Sequence, residues 1–402
     1  MLSVHLFVLF NETVIFLLTF EDVKELISKQ NVWRDSCVNL IASENTMLTE
    51  VEPFYSNDFM HRYAEGLPFN RYYNGTKYID CIEQECQDYF KKKFNVNVCD
   101  TRPISGAIAN LAVFSSLRKT GKVITNSLPS GGHITHNKIG TLGRILNYDI
   151  KNFSQSQENP FVSDIDESIK IIKEFDPDFI VLGKSMFLFP EPIKEIRQEF
   201  PELKIVYDSA HVFGLLYQGL FQKPFEEGAD IVTASTHKTF PGPQGGIILS
   251  KDFNEFNKFV FPGIVSNHHL HRLPVLLMTA ILLDEKYKDY SKRITENAKH
   301  FAQELSAQGF NVCCEKQGFT ESHQVILDVT KQGGGQQVAN ELEKNNIIVN
   351  KNSLPWDKSV INPSGIRMGV QEMTLRGNTK SDFSNLADKF KKILLNGGDS
   401  NV

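Results

Sequence analysis

Asp230-Ile-Val-Thr-Ala-Ser-Thr-His-Lys-Thr-Phe-Pro-Gly-Pro-Gln-Gly-Gly246 is the stretch on which the reading of this chain turns. Its apolar run, Ile231 to Ala234, predicts a buried strand. Ser235 and Thr236 follow, then His237 and Lys238. Pro241, Gly242, Pro243, Gly245 and Gly246 keep the next residues out of regular structure. A lysine so placed ends a buried strand on a loop that can approach a ligand closely. Desolvation there lowers an amine's pKa and makes it a nucleophile toward a carbonyl. The same residues also describe a surface lysine in a turn, and the rest of the chain has to decide.

Working outward, residues Phe161 to Ser250 alternate helices and strands. Helices are predicted at Ser168 to Phe175 and Ile193 to Phe200. Strands are predicted at Phe179 to Leu182, Leu203 to Tyr207, Ile231 to Ala234 and Gly246 to Leu249. Such alternation predicts an α/β domain with a largely parallel sheet, whose ligand site lies beyond the strand ends. Asp208 follows one strand, with Ser209-Ala-His211 after it, and Lys238 follows the next. A carboxylate, a histidine and a lysine thus converge on one crevice.

Two further stretches point to the same place. Ser105-Gly106-Ala107 precedes the apolar helix Leu111 to Leu117 and offers a hydroxyl and free backbone N–H groups to a phosphate. No Gly-Lys-Ser/Thr ending makes it a P-loop. Ser130-Gly-Gly-His-Ile-Thr-His136 sets two glycines before His133, so the backbone can approach a ligand and the imidazole can lie flat on it. A metal site at His133 and His136 is discounted, because no carboxylate or cysteine stands nearby in sequence. Pyridoxal phosphate asks for this set: a lysine for the Schiff base, an aspartate for the ring nitrogen and a cup for the phosphate.

The other readings are local. Arg62-Tyr-Ala-Glu-Gly-Leu-Pro-Phe-Asn-Arg-Tyr-Tyr-Asn-Gly75 sets Tyr63, Glu65, Tyr72 and Tyr73 among turn formers, as a binding loop or a solvated one would. Tyr78 to Phe94 has the spacing of an amphipathic helix. The remainder past about Gln308 predicts a smaller α/β unit. In it Arg367 lies within an apolar strand, placed for a substrate carboxylate or an internal ion pair.

Composition sets the outer limits. The chain has 402 residues, a net charge of -5 and no block of basic residues, so nucleic acid is not an expected partner. Its six cysteines form no disulfide framework or C-x-x-C pair, which fits a reducing, cytoplasmic setting. Met1 to Phe20 is apolar but broken by Asn11-Glu-Thr13. It lacks a basic start and a cleavage site, and about 20 unbroken apolar residues are needed to cross a bilayer. A packed N-terminal arm, or a misassigned start, is expected rather than a membrane anchor.

The chain resembles the serine hydroxymethyltransferase family from about Asn39 to Gly377, most closely its archaeal-type members. The resemblance rests on Leu40-Ile-Ala-Ser-Glu-Asn45, Tyr63-Ala-Glu-Gly with Arg71-Tyr-Tyr, Gly131-Gly-His-Ile-Thr-His136, Asp208-Ser-Ala-His211, Thr236-His-Lys-Thr239 and Ser364-Gly-Ile-Arg367. It implies a fold-type-I, aminotransferase-like enzyme using pyridoxal phosphate, with a mostly parallel seven-stranded sheet in a large domain. An N-terminal arm over 1–52, a large domain over 53–285 and a small C-terminal domain over 286–395 are expected. The implied reaction passes the serine hydroxymethyl group to a reduced pterin, tetrahydrofolate or tetrahydromethanopterin, and leaves glycine.

By the same resemblance Lys238 bears the cofactor, Asp208 meets the ring nitrogen and His133 stacks on the ring. His211 and Ser185 also hold the cofactor, and Ser105, Gly106 and Ala107 cradle the phosphate. Ser43 and Arg367 bind the substrate carboxylate. Glu65 is the acid/base at the serine hydroxyl, with Tyr63, Tyr72 and Tyr73 around it, and His237 tunes reaction specificity. A homodimer with shared active sites is implied, and no metal. Four departures from the family pattern stand out: Arg102-Pro-Ile-Ser-Gly106, Gln244, Ser266-Asn267 and the shortened Ser359-Val-Ile segment. They leave the pterin type open. A pterin-independent aldolase of β-hydroxy amino acids and an inactive scaffold are the competing readings.

Overall fold

The computed structural model describes residues 17–358 and 361–395. The apolar residues up to Phe16, and Ser359 with Val360, lie outside that range. The main sheet consists of β1 (Val98–Asp100), β2 (Lys122–Thr125), β3 (Asp149–Asn152), β4 (Phe179–Leu182), β5 (Lys204–Asp208), β6 (Ile231–Ser235) and β7 (Gly246–Ser250). Their order is β1-β7-β6-β5-β4-β2-β3, with β2 to β6 parallel and β7 antiparallel to both neighbours. Every residue of β4, β6 and β7 is buried. That is why these strands read as continuous apolar runs rather than alternating ones.

Helices cover the sheet. α1 (Phe20–Ser36) starts with a capping box between Thr19 and Asp22. α2 (Lys77–Phe94) buries Ile79, Glu83, Cys86 and Phe90 along one face and ends at left-handed Asn95. α3 (Gly106–Ser116) is capped by Ser105 and begins five residues before the apolar run Leu111 to Leu117. The Ser105 Oγ accepts from Ile108 N at 3.2 Å.

A second, antiparallel sheet holds β8 (Asn311–Val312), β9 (Gln324–Asp328), β10 (Asn350–Asn352) and β11 (Gly365–Gly369), in the order β8-β9-β11-β10. The helices Tyr290–Ala307 and Lys380–Leu394 pack on each other beside it. Val38–Asn39 pairs in parallel with Ile347–Ile348, so residues just after α1 are tied to the C-terminal part of the chain.

The expectation of a packed N-terminal arm concerns Met1 to Phe20, of which all but the last four residues lie outside the described residues. α1 has no buried residue, and Leu17, Phe20, Ile27 and Val32 are all exposed. Among the described residues, then, the apolar residues of this helix are left uncovered. Among the described residues no helix is long and apolar enough to cross a membrane.

Candidate functional site

β5 and β6 are neighbours, so their C-terminal ends bring Asp208 and Lys238 to one side of the sheet. Lys238 is 8% exposed, and its amine enters no ion pair among the described residues. Burial lowers its pKa to about 8, against the opposing pull of Asp208 and with a smaller push from Arg367. The lysine of the opening stretch is therefore a desolvated amine, not a surface one.

Asp208 is fully enclosed by donors. Asn110 Nδ2 donates to Oδ2 at 2.7 Å, His136 Nε2 stands 3.0 Å from the same oxygen, and Ala210 N donates to Oδ1 at 3.0 Å. Burial alone would raise this carboxyl, but His136, His133 and Asn110 together hold it well below the usual range. Asn110 is fixed in turn by Thr233 Oγ1, which donates to its Oδ1 at 2.6 Å. Neither Asn110 nor His136 was assigned a cofactor role from sequence. The signal for Asn110 was its place one helical turn beyond Gly106, on the same face of α3.

His133 Nδ1 accepts from Thr135 N at 3.3 Å and lies 2.7 Å from Thr135 Oγ1, so the ring is held at one edge. Burial takes its pKa down to about 4. The ligand atoms of His133, His136 and Asp208 lie within 4.8 Å of one another, so folding supplies the carboxylate that sequence distance had hidden. These atoms are engaged with Thr135, Asn110 and each other in a hydrogen-bonded cradle.

Gly131 and Gly132 are also required by their own chain. A Cβ on Gly131 would sit 2.8 Å from Met186 O, and one on Gly132 would sit 2.2 Å from Asn126 O. The glycines thus serve close packing against the neighbouring chain. Gly131 O accepts from Ser185 N at 2.6 Å, which joins the His133 loop to the loop after β4.

Ser185 O accepts from Arg367 Nη1 at 2.9 Å, and Asn350 Oδ1 accepts from Arg367 Nε at 3.2 Å. Arg367 is 8% exposed, burial lowers its pKa to about 10, and no carboxylate pairs with it among the described residues. The internal ion pair is thus not what this arginine makes. Its remaining N–H groups suit a carboxylate brought by a ligand. His211 is buried nearby, with Gln324 Nε2 at 3.1 Å from its Nδ1.

At the start of α3 the first-turn N–H groups of Gly106 and Ala107 have no intrahelical partner, as at any helix N-terminus. A Cβ on Gly106 would meet Ser235 Oγ at 2.5 Å, which presses this turn against the end of β6. Ser43, His237 and Gln244 line a cavity of about 520 Å³ whose lining includes none of Ser105, Asp208, Lys238 and Arg367, and His237 Nδ1 is buried without a partner among the described residues. Burial, then the Lys238 charge, lowers the His237 pKa to about 4.

The donor set fits pyridoxal phosphate: an unpaired buried amine, an ionised carboxylate one strand away, and free N–H groups at a helix start. Glu65, Tyr63, Tyr72 and Tyr73 are not part of this gathering. They lie on a loop around the hairpin Gly66–Leu67 and Asn70–Arg71, and the three tyrosines are exposed. Among the described residues no hydrogen bond or ring contact joins them to Lys238, Asp208 or Arg367.

Three of the departures have local explanations. Arg102 is a buried partner of Asp100, with Nε at 2.9 Å, and donates through Nη2 to Asn257 at 2.6 Å. Asn267 is occupied by its own chain, accepting from Ala64 N at 3.0 Å and donating to Arg62 O at 2.9 Å. Gln244 is exposed at the rim of the cavity. Ser359 lies outside the described residues.

A serine hydroxymethyltransferase family profile matches residues 19–390. Serine hydroxymethyltransferases of Saccharolobus islandicus and Saccharolobus solfataricus are each 47% identical over 390 residues, covering 95% of this chain and 90% of theirs. That of Pyrobaculum aerophilum is 46% identical over 394 residues, covering 94% of this chain and 89% of its own.

Proposed function

Because this chain belongs to the serine hydroxymethyltransferase family, we propose a division of labour among its residues in the interconversion of serine and glycine. The activity is that of a pyridoxal-phosphate-dependent glycine hydroxymethyltransferase with a reduced pterin as co-substrate. The cofactor, when bound, supplies an electron-withdrawing ring that weakens the bonds at the amino acid's α-carbon. Lys238 would hold it covalently, Asp208 at the ring nitrogen and His133 on the ring face. His211 and Ser185 would hold the phenolic side, and Ser105, Gly106 and Ala107 the phosphate.

The rest is done by the chain itself. Arg367 receives the serine carboxylate with the N–H groups that Ser185 and Asn350 leave free, and Ser43 adds a hydroxyl. This fixes the substrate's orientation, which is what a preorganised guanidinium contributes. Asp208, kept ionised by Asn110 and His136, holds a proton at the ring nitrogen. Glu65 moves the proton of the serine hydroxyl, Tyr73 stands beside it with Tyr63 and Tyr72, and His237 tunes specificity from the cavity side.

Glu65 and these tyrosines would reach such a site from a second copy. We therefore include a homodimer with shared sites. It is supported by the uncovered apolar residues of α1 and by exposed Tyr63, Phe69 and Tyr72. A large domain ending near residue 285 and a small one after it agree with the two separate sheets. The six unpaired cysteines suit a cytoplasmic setting.

The observation that carries the reading is Arg367, buried without a carboxylate across the crevice from a desolvated Lys238. The test is serine cleavage by purified protein with tetrahydrofolate, with tetrahydromethanopterin and with neither. Acceleration by one pterin is expected and names the carrier. Equal rates in all three would overturn pterin dependence and favour the aldolase.

A further inference from the structure

Gln324, the first residue of β9, is fully buried and touches the site from the second sheet. Its amide has one possible orientation. Phe187 N–H can only donate, and it lies 2.9 Å from Gln324 Oε1. The oxygen must therefore face Phe187, and the NH₂ group faces the other way. Nε2 then donates to Ser185 O at 3.0 Å and to His211 Nδ1 at 3.1 Å. His323 Nε2 lies 3.4 Å from the same nitrogen, but it is itself a donor to Ala42 O at 3.1 Å, so that approach is not a bond. Both Gln324 hydrogens are spent.

A ring nitrogen that accepts a hydrogen bond carries no proton. His211 must then carry its single proton on Nε2. Burial, with Lys238, Arg367, His323 and His133 adding to it, holds the ring's pKa well below the usual range and so keeps it neutral. Neutrality alone leaves the choice of nitrogen open, and the amide makes that choice. Ser185 O also accepts from Arg367 Nη1, so Gln324 sets His211 and Arg367 in register through one carbonyl.

We propose that Gln324 is a positioning residue for the reaction, locking His211 as an Nε2–H donor and coupling it to the carboxylate-binding Arg367. This rests on the reading of His211 and Arg367 given above. A donor of fixed direction suits an anionic oxygen on the cofactor or the substrate, and a mixture of tautomers would present a lone pair there part of the time. Nothing in the sequence announced this role: Gln324 is a polar residue heading an otherwise apolar strand, Gln324-Val-Ile-Leu.

The experiment is a long-range ¹H–¹⁵N correlation of imidazole groups in ¹⁵N-histidine-labelled holoenzyme between pH 6 and 8, with His211 assigned from the signal lost in His211→Asn. Wild type should show a neutral ring protonated at Nε2 throughout. Gln324→Glu puts an acceptor where the donor was, so Nδ1 should become protonated and kcat should fall about tenfold or more. Gln324→Met, matched in length, should show mixed tautomers and a smaller loss. A wild-type ring protonated at Nδ1 overturns the proposal, and that measurement needs neither Gln324 variant to fold. An unchanged tautomer with unchanged kcat in both variants overturns it as well. Failure to bind pyridoxal phosphate or cleave serine would strike the functional reading instead, and the tautomer result stands apart from it.

Discussion

Arg71 donates through Nη2 to Glu83 at 2.7 Å with neither side chain more than 2% exposed, and this pair ties the Glu65 loop to α2. Arg71 also donates to Asp80 at 2.8 Å and to the carbonyls of Ala64 and Gly66, while His268 Nε2 lies 2.9 Å from Glu83. Burial would raise the Glu83 pKa, but His268 and Arg71 hold it below the usual range. Removing one member of a buried ion cluster strands the others. Arg71→Met should therefore cost about 3–5 kcal/mol of stability, read from denaturant unfolding. A loss below about 1 kcal/mol would mean that the clamp does not hold the loop.

Asn110 offers a second test, because it reaches Asp208 at 2.7 Å without itself carrying charge. A hydrogen bond to a charged group contributes about 1.5–3 kcal/mol. Asn110→Ala should therefore weaken pyridoxal phosphate binding about ten- to a hundredfold, measured by titrating the apoprotein and following absorbance. Unchanged affinity would show that His136 and Ala210 suffice to hold the carboxylate.

Lys238 supplies a pH dependence. The reactive form of an amine is the unprotonated one, and its fraction grows as pH rises through the pKa. With that pKa lowered to about 8 from the model-compound 10.5, capture of pyridoxal phosphate by apoprotein should quicken with pH and level off above about 8. Arg367 pushes the Lys238 pKa down, so Arg367→Leu should move the midpoint upward. A wild-type midpoint near 10.5 would contradict the desolvated environment. Lys238→Ala should abolish the absorbance band of the bound cofactor altogether.

What the sequence made legible follows from where each side chain gets its constraints. Lys238, Asp208 and Arg367 were readable because each sits on or just past an apolar run, and strand ends of an α/β sheet face one crevice. The parallel sheet was legible for the same reason, since strands buried on both faces leave unbroken runs such as Phe179-Ile-Val-Leu182. Gly131 and Gly132 show a limit of sequence, because a ligand and a neighbouring backbone impose the same demand for a missing Cβ, and here the neighbours are Met186 and Asn126. Asn110 and Gln324 stayed hidden because their partners lie about a hundred residues away and only the fold brings them close. Glu65 could be placed on a loop but not in a site, since Tyr63, Tyr72 and Tyr73 around it stay exposed among the described residues.

That last point sets the most demanding prediction. If the Glu65 loop of one protomer completes the Lys238 site of the other, Lys238→Ala and Glu65→Gln chains should each be nearly inactive alone. Co-expressed with different affinity tags and purified through both, they form mixed dimers in which one site pairs an intact Lys238 with an intact Glu65 loop. Serine cleavage should then reappear well above the sum of the two parents. The same recovery should follow with Tyr73→Phe in place of Glu65→Gln if the tyrosine lies across the interface as well. Activity no greater than the sum would place Glu65 with Lys238 in one chain. The loop, held to α2 by Arg71, would then have to reach the site of its own chain. The unpaired face of α1 would then need a different explanation.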